Sequence, residues 1–327
     1  MKIKIAYNTK DYLHNEKNHV ENSLRTQSII KYLNENFSKI KELINKSKNK
    51  KNKKNNNIEL IDEKNIKPIN NKTLIDLYKM THTEEYINYI FSLSNKISGI
   101  YSLDPDTYFT SDTVEVINTN IKLLLNLTEE LIENKIDVGI SYIRPPGHHA
   151  EKDKAMGFCI INNVATITTY LLNHLKLNKI AIIDFDAHHG NGTENIFEYN
   201  KHVLFISSHA YPFYPFTGYN SFPEYNKFNF PLSIIANDEE ILKIYQTELD
   251  KLINEFDPEF VIISMGYDIH LNDPITYMRV TNQGIDQLHK TLISKLSKYK
   301  TLWVLEGGYN LEVLQYSSLN LITNLLS

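Results

Sequence analysis

Five short runs of almost unbroken apolar residues, separated by stretches of helical periodicity, constrain this chain more than anything else in it. The runs are 137–143, 179–185, 202–208, 259–265 and 301–305. A strand with one wet face alternates apolar and polar residues. These runs do not alternate, which marks parallel strands covered on both faces. Helical stretches lie at 113–134, 160–177, 238–256, 283–297 and 311–325. In the first, Leu123, Leu124, Leu127 and Leu131 make one apolar stripe. The alternation predicts an α/β fold with a parallel sheet between helical layers, one domain over residues 1–327. The Lys/Ile alternation at the start predicts a further strand, and a helix is expected over about 23–44.

Composition removes several alternatives. One Cys among 327 residues cannot form an internal disulfide or a Cys-rich zinc finger, so a metal site must use His, Asp and Glu. No apolar run approaches the ~18 residues that span a bilayer. The first residues turn polar too quickly for a signal peptide, so a cytoplasmic setting is expected, or a nuclear one in a eukaryote. Residues 46–57 contain six Lys among Asn and Ser. Without them, 29 basic residues face 39 acidic ones, a net of −10. The tract is expected to be a disordered surface insertion, since it lacks the interleaved aromatics of a nucleic-acid patch. Neither a membrane nor a nucleic acid is an expected partner, and the oligomeric state is not legible.

Ligands in open α/β sheets bind at the carboxyl ends of the strands. All five runs end in polar, glycine-rich segments. These are Arg144-Pro-Pro-Gly-His-His-Ala150, Asp184-Phe-Asp-Ala-His-His-Gly-Asn-Gly192, Ser207-Ser-His209, Met265-Gly-Tyr-Asp268 running on to Pro274, and Glu306-Gly-Gly-Tyr309. In an extended segment Asp186 and His188 point the same way and can grip one metal. Asp268 is the best candidate for a third ligand, leaving one position open for water. His148 and His149, beside it, suit proton transfer. Asp184 and Asn191 are available to orient them. A phenol at Tyr309 can donate to a developing oxyanion.

These motifs, in this order, resemble the zinc-dependent deacetylase branch of the arginase–deacetylase superfamily, which holds class II histone deacetylases and bacterial acetylpolyamine amidohydrolases. Gly157-Phe-Cys159 and Asp273-Pro274 match as well. The resemblance implies a three-layer α/β/α fold around an eight-stranded, mainly parallel sheet. It implies zinc, or iron(II), on Asp186, His188 and Asp268. His149 matches the general base, His148 its electrostatic neighbour, Asp184 the partner of His148, and Tyr309 the residue polarising the acyl carbonyl. Gly157, Phe158, Tyr214 and Ile275 match the substrate tunnel. Asp184, Asp186, His188, Ser207 and Ser208 fall where the family holds a structural potassium ion. The implied reaction hydrolyses an acetyl-lysine side chain or an acetylpolyamine and releases acetate.

Three departures bear on this. Asn191 stands where class I relatives have Asp, which is expected to leave His149 a weaker base. Val20 follows His19 where the family has Pro, although Arg25 still matches. Ile275 stands where polyamine-selective relatives carry an acidic gatekeeper. The alternatives are a ureohydrolase of the arginase branch, whose second-metal carboxylates are missing here, and a binding protein without turnover.

Overall fold

The computed structural model describes residues 1–48 and 56–327. Ten strands are present among them: β1 (Lys2–Tyr7), β2 (Asn57–Ile61), β3 (Ile100–Ser102), β4 (Tyr108–Thr110), β5 (Val138–Tyr142), β6 (Ile180–Asp184), β7 (Val203–Ala210), β8 (Lys227–Leu232), β9 (Phe260–Met265) and β10 (Thr301–Leu305). Eight form one sheet in the order β2-β1-β5-β10-β9-β6-β7-β8, every pair parallel. β3 and β4 make a small antiparallel pair beside it.

The apolar runs need no alternation because both faces of the sheet are covered. In β6, Ala181 and Ile183 enter one core while Ile180 and Ile182 enter the other. In β9, Val261 and Ile263 divide from Phe260 and Ile262 in the same way. The first core is roofed by helices that include Leu24–Glu35, Asn282–Lys295 and Leu311–Leu326. The second lies under helices that include Asn71–Thr81, Thr113–Ile132 and Asn163–Asn173. The three-layer α/β/α expectation holds.

Local differences have local causes. The early helix is two, Leu24–Glu35 and Phe37–Lys48, broken at Asn36, whose side-chain amide donates to the Tyr32 carbonyl at 2.9 Å. The 160–177 helix starts only at Asn163, because Asn162 caps it by accepting from the Ala165 N–H. The stretch 46–57, expected to be a disordered insertion, is described only at its ends. Residues 46–48 close a helix, Asn57 opens β2 by pairing with Lys2, and 49–55 lie outside the described residues. β8 escaped notice because it alternates and contains Pro231, which only an edge strand tolerates. No helix among the described residues is long and apolar enough to cross a membrane.

A buried ion cluster ties the amino-terminal loop to the sheet. Glu21 is fully buried and accepts from Arg144 Nε at 2.7 Å, from the same guanidinium again at 2.6 Å, and from Arg25 at 3.2 Å. Arg25 also donates to the carbonyls of Gly308, at 2.7 Å, and Glu306. The segment after β10 is thereby held by a helix from the far end of the chain. Glu21→Ala leaves two guanidiniums buried without their carboxylate. It should lower the free energy of unfolding by about 3–5 kcal/mol, measured by urea denaturation; a loss under about 1 kcal/mol would contradict the anchoring role.

Candidate active site

The five motif-bearing strands are neighbours, β5-β10-β9-β6-β7, although they are far from consecutive in sequence. Because they run parallel, their polar ends meet at one edge of the sheet. Asp186, His188 and Asp268 converge there, their nearest ligand atoms all within 4.8 Å of one another. His188 Nδ1 lies 3.0 Å from Asp186 Oδ1 and 2.9 Å from Asp268 Oδ2. Each carboxylate is aimed by backbone: Gly307 N–H donates to Asp186 Oδ2 at 2.7 Å and Ala187 N–H to Asp268 Oδ1 at 2.9 Å. Gly266 must lack a side chain, since a Cβ there would collide with the Asp186 carboxyl.

The electrostatics call for a cation. Burial opposes a charge on His188, but Asp186 and Asp268 outweigh it and hold its pKa up at about 10. Burial and the neighbouring Asp186 push the Asp268 carboxyl up to about 7. Two buried carboxylates and one imidazole, the carboxylates held in place by backbone N–H groups, fit a divalent metal that takes N and O ligands.

The rings of His148 and His149 meet at a tilt of 44° with centroids 4.1 Å apart, yet their environments differ. His148 Nδ1 donates to Asp184 Oδ2 at 3.0 Å. Burial disfavours its charge, but Asp186 and Asp184 prevail and hold it at about 10. His149 Nδ1 pairs with Asn191 Oδ1 at 2.7 Å. The Asn191 amide is oriented in turn, because its Nδ2 donates to Glu151 Oε1 at 2.7 Å. His149 therefore carries its proton on Nδ1 and leaves Nε2 basic. Burial lowers its pKa well below the ordinary value, and the positive charges of His148 and His188 add to that. The Asn191 bond favours the charged form, but burial overrides it.

A cavity of about 220 Å³ opens above this floor. His148, His149, His188 and Tyr309 line it, with Gly157, Phe158, Tyr214 and Ile275 of the expected tunnel. Phe158 meets Tyr309 edge to face at 5.6 Å, and Tyr214 meets His149 at 5.3 Å. Gly157 has φ +56°, and a Cβ there would strike the His149 ring. His19 packs edge-on against Phe158 at 4.7 Å and donates to the Asp106 carbonyl, which ties the amino-terminal loop to the cavity wall. Cys159 is buried and is no ligand.

Sequence reading missed several residues. Phe213 lines the cavity and stacks on His188 at 5.4 Å, and Asp106 stands at the same cavity. Glu306 accepts from the Gly147 and His148 N–H groups at 2.7 and 3.1 Å and so sets the loop that carries both histidines. Asp273 accepts from Tyr309 N–H at 2.8 Å. Both acids stand within the quoted motifs, but no spacing rule reveals which N–H groups a carboxylate accepts from. Ser207 and Ser208, the serines of the potassium expectation, lie in β7, where the Ser207 hydroxyl pairs with His209 at 2.9 Å and the Ser208 hydroxyl with Tyr245 at 2.7 Å.

Comparison with known proteins bears on this arrangement. A family model described as "Histone deacetylase domain" matches residues 19–325. A "Probable deacetylase" of Archaeoglobus fulgidus is 34% identical over 253 residues, covering 74% of this chain and 68% of that protein. "Histone deacetylase 18" of Arabidopsis thaliana is 34% identical over 267 residues, covering 76% of this chain but only 39% of the plant protein. Among solved structures, the HDA15 HD domain superposes with a TM-score of 0.81 at 28% identity, covering 98% of this chain and 90% of that one.

Titration of chelator-treated protein with Zn²⁺ should reveal one ion per chain and a rise in melting temperature. Asp268→Asn should weaken that binding at least about 100-fold. Unchanged affinity in the variant would remove Asp268 from the ligand set.

Proposed function

Because this chain belongs to the histone deacetylase family, whose domain is that of a hydrolytic deacetylase, we propose that it removes an acetyl or longer acyl group from a primary amine at the end of a linear alkyl chain, with zinc or iron(II) held by Asp186, His188 and Asp268. One observation carries the reading. A neutral histidine, a phenol and a metal-type triangle meet at the floor of one aromatic-walled cavity.

When bound, the divalent cation supplies Lewis acidity at the amide carbonyl and acidifies water. The chain's own groups do the rest. His149 Nε2 accepts the proton of the attacking water, because its Nδ1 is committed to Asn191. The cationic His148, held by Asp184, keeps His149 from being protonated beforehand and lends positive charge to the forming oxyanion. Burial raises the Tyr309 hydroxyl well above its ordinary pKa, so it remains a donor to that oxyanion. His149 then returns the proton to the leaving amine, and acetate is released. The aromatic walls of Phe158, Phe213 and Tyr214 suit an alkyl chain.

The single cluster among the described residues supports a one-metal site over the two-metal site of ureohydrolases. Ile275 offers no anionic partner for the internal ammonium of a polyamine. An acetyl-lysine peptide is therefore the favoured substrate over acetylspermidine.

Tyr309→Phe should cut kcat by about 10²–10³ while bound metal per chain stays unchanged; survival of full activity would remove Tyr309 from the oxyanion site. Steady-state kinetics on acetylputrescine, acetylspermidine and an acetyl-lysine peptide should place the peptide highest in kcat/KM, and a polyamine at the top would reverse the substrate order. Asp184→Asn removes a carboxylate that raises the His148 pKa, so the alkaline limb of the kcat profile should move to lower pH. An unmoved limb would mean that His148 charge is not required.

A further inference from the structure

A side-chain amide is an acceptor at one end and a donor at the other, and nothing in the amide itself decides which end faces a neighbour. The choice matters at Asn191, whose Oδ1 meets His149 Nδ1 at 2.7 Å. With the oxygen there, the imidazole keeps its proton on Nδ1 and Nε2 is left to accept another. With the amide reversed, its NH₂ would face Nδ1, the ring proton would sit on Nε2, and His149 would meet water as a donor. Glu151 stands at the far end of the amide and accepts from Nδ2 at 2.7 Å. A carboxylate only accepts, so it faces the NH₂ end alone. Met156 Sδ, a weak acceptor 3.4 Å from the same Nδ2, favours the same orientation. Asn191 is buried, so an NH₂ turned away from Glu151 would have to find its acceptor within the protein.

The backbone keeps the two side chains in register. The N–H of Lys152, next after Glu151, donates to Asn195 Oδ1 at 3.1 Å. Asn195 lies on the helix Asn191–Ile196, which also carries Asn191. From the other side, His82 Nδ1 donates to the Glu151 carbonyl at 2.8 Å. Resting on the amide hydrolysis proposed above, we infer that Glu151 is a positioning residue for the general base: through Asn191 it fixes the His149 tautomer in which Nε2 takes the proton of water. That proton then rests on Nε2 until it passes to the leaving amine, and the Nδ1 proton stays in place throughout. Carboxylates at both 151 and 191 are incompatible on this account. Asn191→Asp would set an oxygen against Glu151 Oε1 where a donor now sits, and two acceptors repel. Glu151→Gln in that background would return a donor to the gap, running in the opposite direction, and leave the other carboxylate oxygen to accept from His149 Nδ1.

The test uses the zinc-loaded full chain and an acetyl-lysine peptide, with two readouts. Long-range ¹H–¹⁵N correlation spectra of protein labelled at histidine report the tautomer, with His149→Ala identifying the signal. Wild type should carry the His149 proton on Nδ1. Glu151→Ala should give a mixed or reversed tautomer and lower kcat about 10–100-fold, with KM and zinc content close to wild type. Glu151→Gln, which still offers an acceptor, should lose far less than the Ala variant. Asn191→Asp should lower kcat, and adding Glu151→Gln to it should raise kcat at least about 10-fold, although Glu151→Gln by itself raises nothing. The inference is overturned if Glu151→Ala leaves kcat or the tautomer as in wild type, if its loss appears in KM instead, or if Glu151→Gln fails to improve Asn191→Asp. If Asn191→Asp does not fold, the Glu151→Ala spectra and kinetics decide alone. If wild type hydrolyses no acetyl-lysine peptide, the hydrolytic reading fails there, and the spectra still decide the role of Glu151: a shifted tautomer supports it and an unmoved one overturns it.

Discussion

Negative charge buried at the carboxyl edge of the sheet is the constraint that organises this molecule. Asp184, Asp186, Asp268 and Glu306 are almost completely withdrawn from water. A buried carboxylate persists only when N–H groups, cations or protons answer it. Here the answers are divided. Glu306 takes backbone N–H groups of the histidine loop, Asp184 takes His148, and Asp186 and Asp268 share His188. The last pair is not fully answered by protein, which is why a dication suits it.

The same constraint separates two adjacent histidines. His148 lies beside two carboxylates and keeps its proton, whereas His149 faces an amide and gives its proton up. Their rings touch, so the charge on one helps to hold the other neutral. Paired groups whose environments drive their pKa values apart are what acid–base chemistry near neutral pH requires.

Cations embedded in the fold are the complement of this pattern. Arg25 and Arg144 close on Glu21 behind the site, and Lys227 closes on three backbone carbonyls at the sheet edge. The first arrangement pairs opposite charges and holds the Gly307–Tyr309 segment from behind. The second uses carbonyl dipoles alone, at the turns leading into the last two strands of the sheet.

Much was legible in the sequence for a physical reason. Strands buried on both faces write themselves as continuous apolar runs, and catalytic groups at parallel strand ends write themselves as the motifs that follow. That is how β5, β6, β7, β9 and β10, the metal-type triangle and the two histidines were found from residues alone. Edge strands leave fainter marks, so β2 and β8 were not seen. Which strands lie side by side is decided by crossovers that carry no local signal, and the order β5-β10-β9-β6-β7 emerged only in three dimensions. Hydrogen-bond acceptors were equally hidden. Glu306 on the histidine loop, Glu151 on Asn191, Phe213 on His188 and Lys227 among carbonyls all depend on contacts between segments distant in sequence. The sequence by itself determined the chemistry available at the sheet edge. Tertiary structure alone decided which group holds the proton, because that depends on burial and on the charge of neighbours brought from elsewhere in the chain.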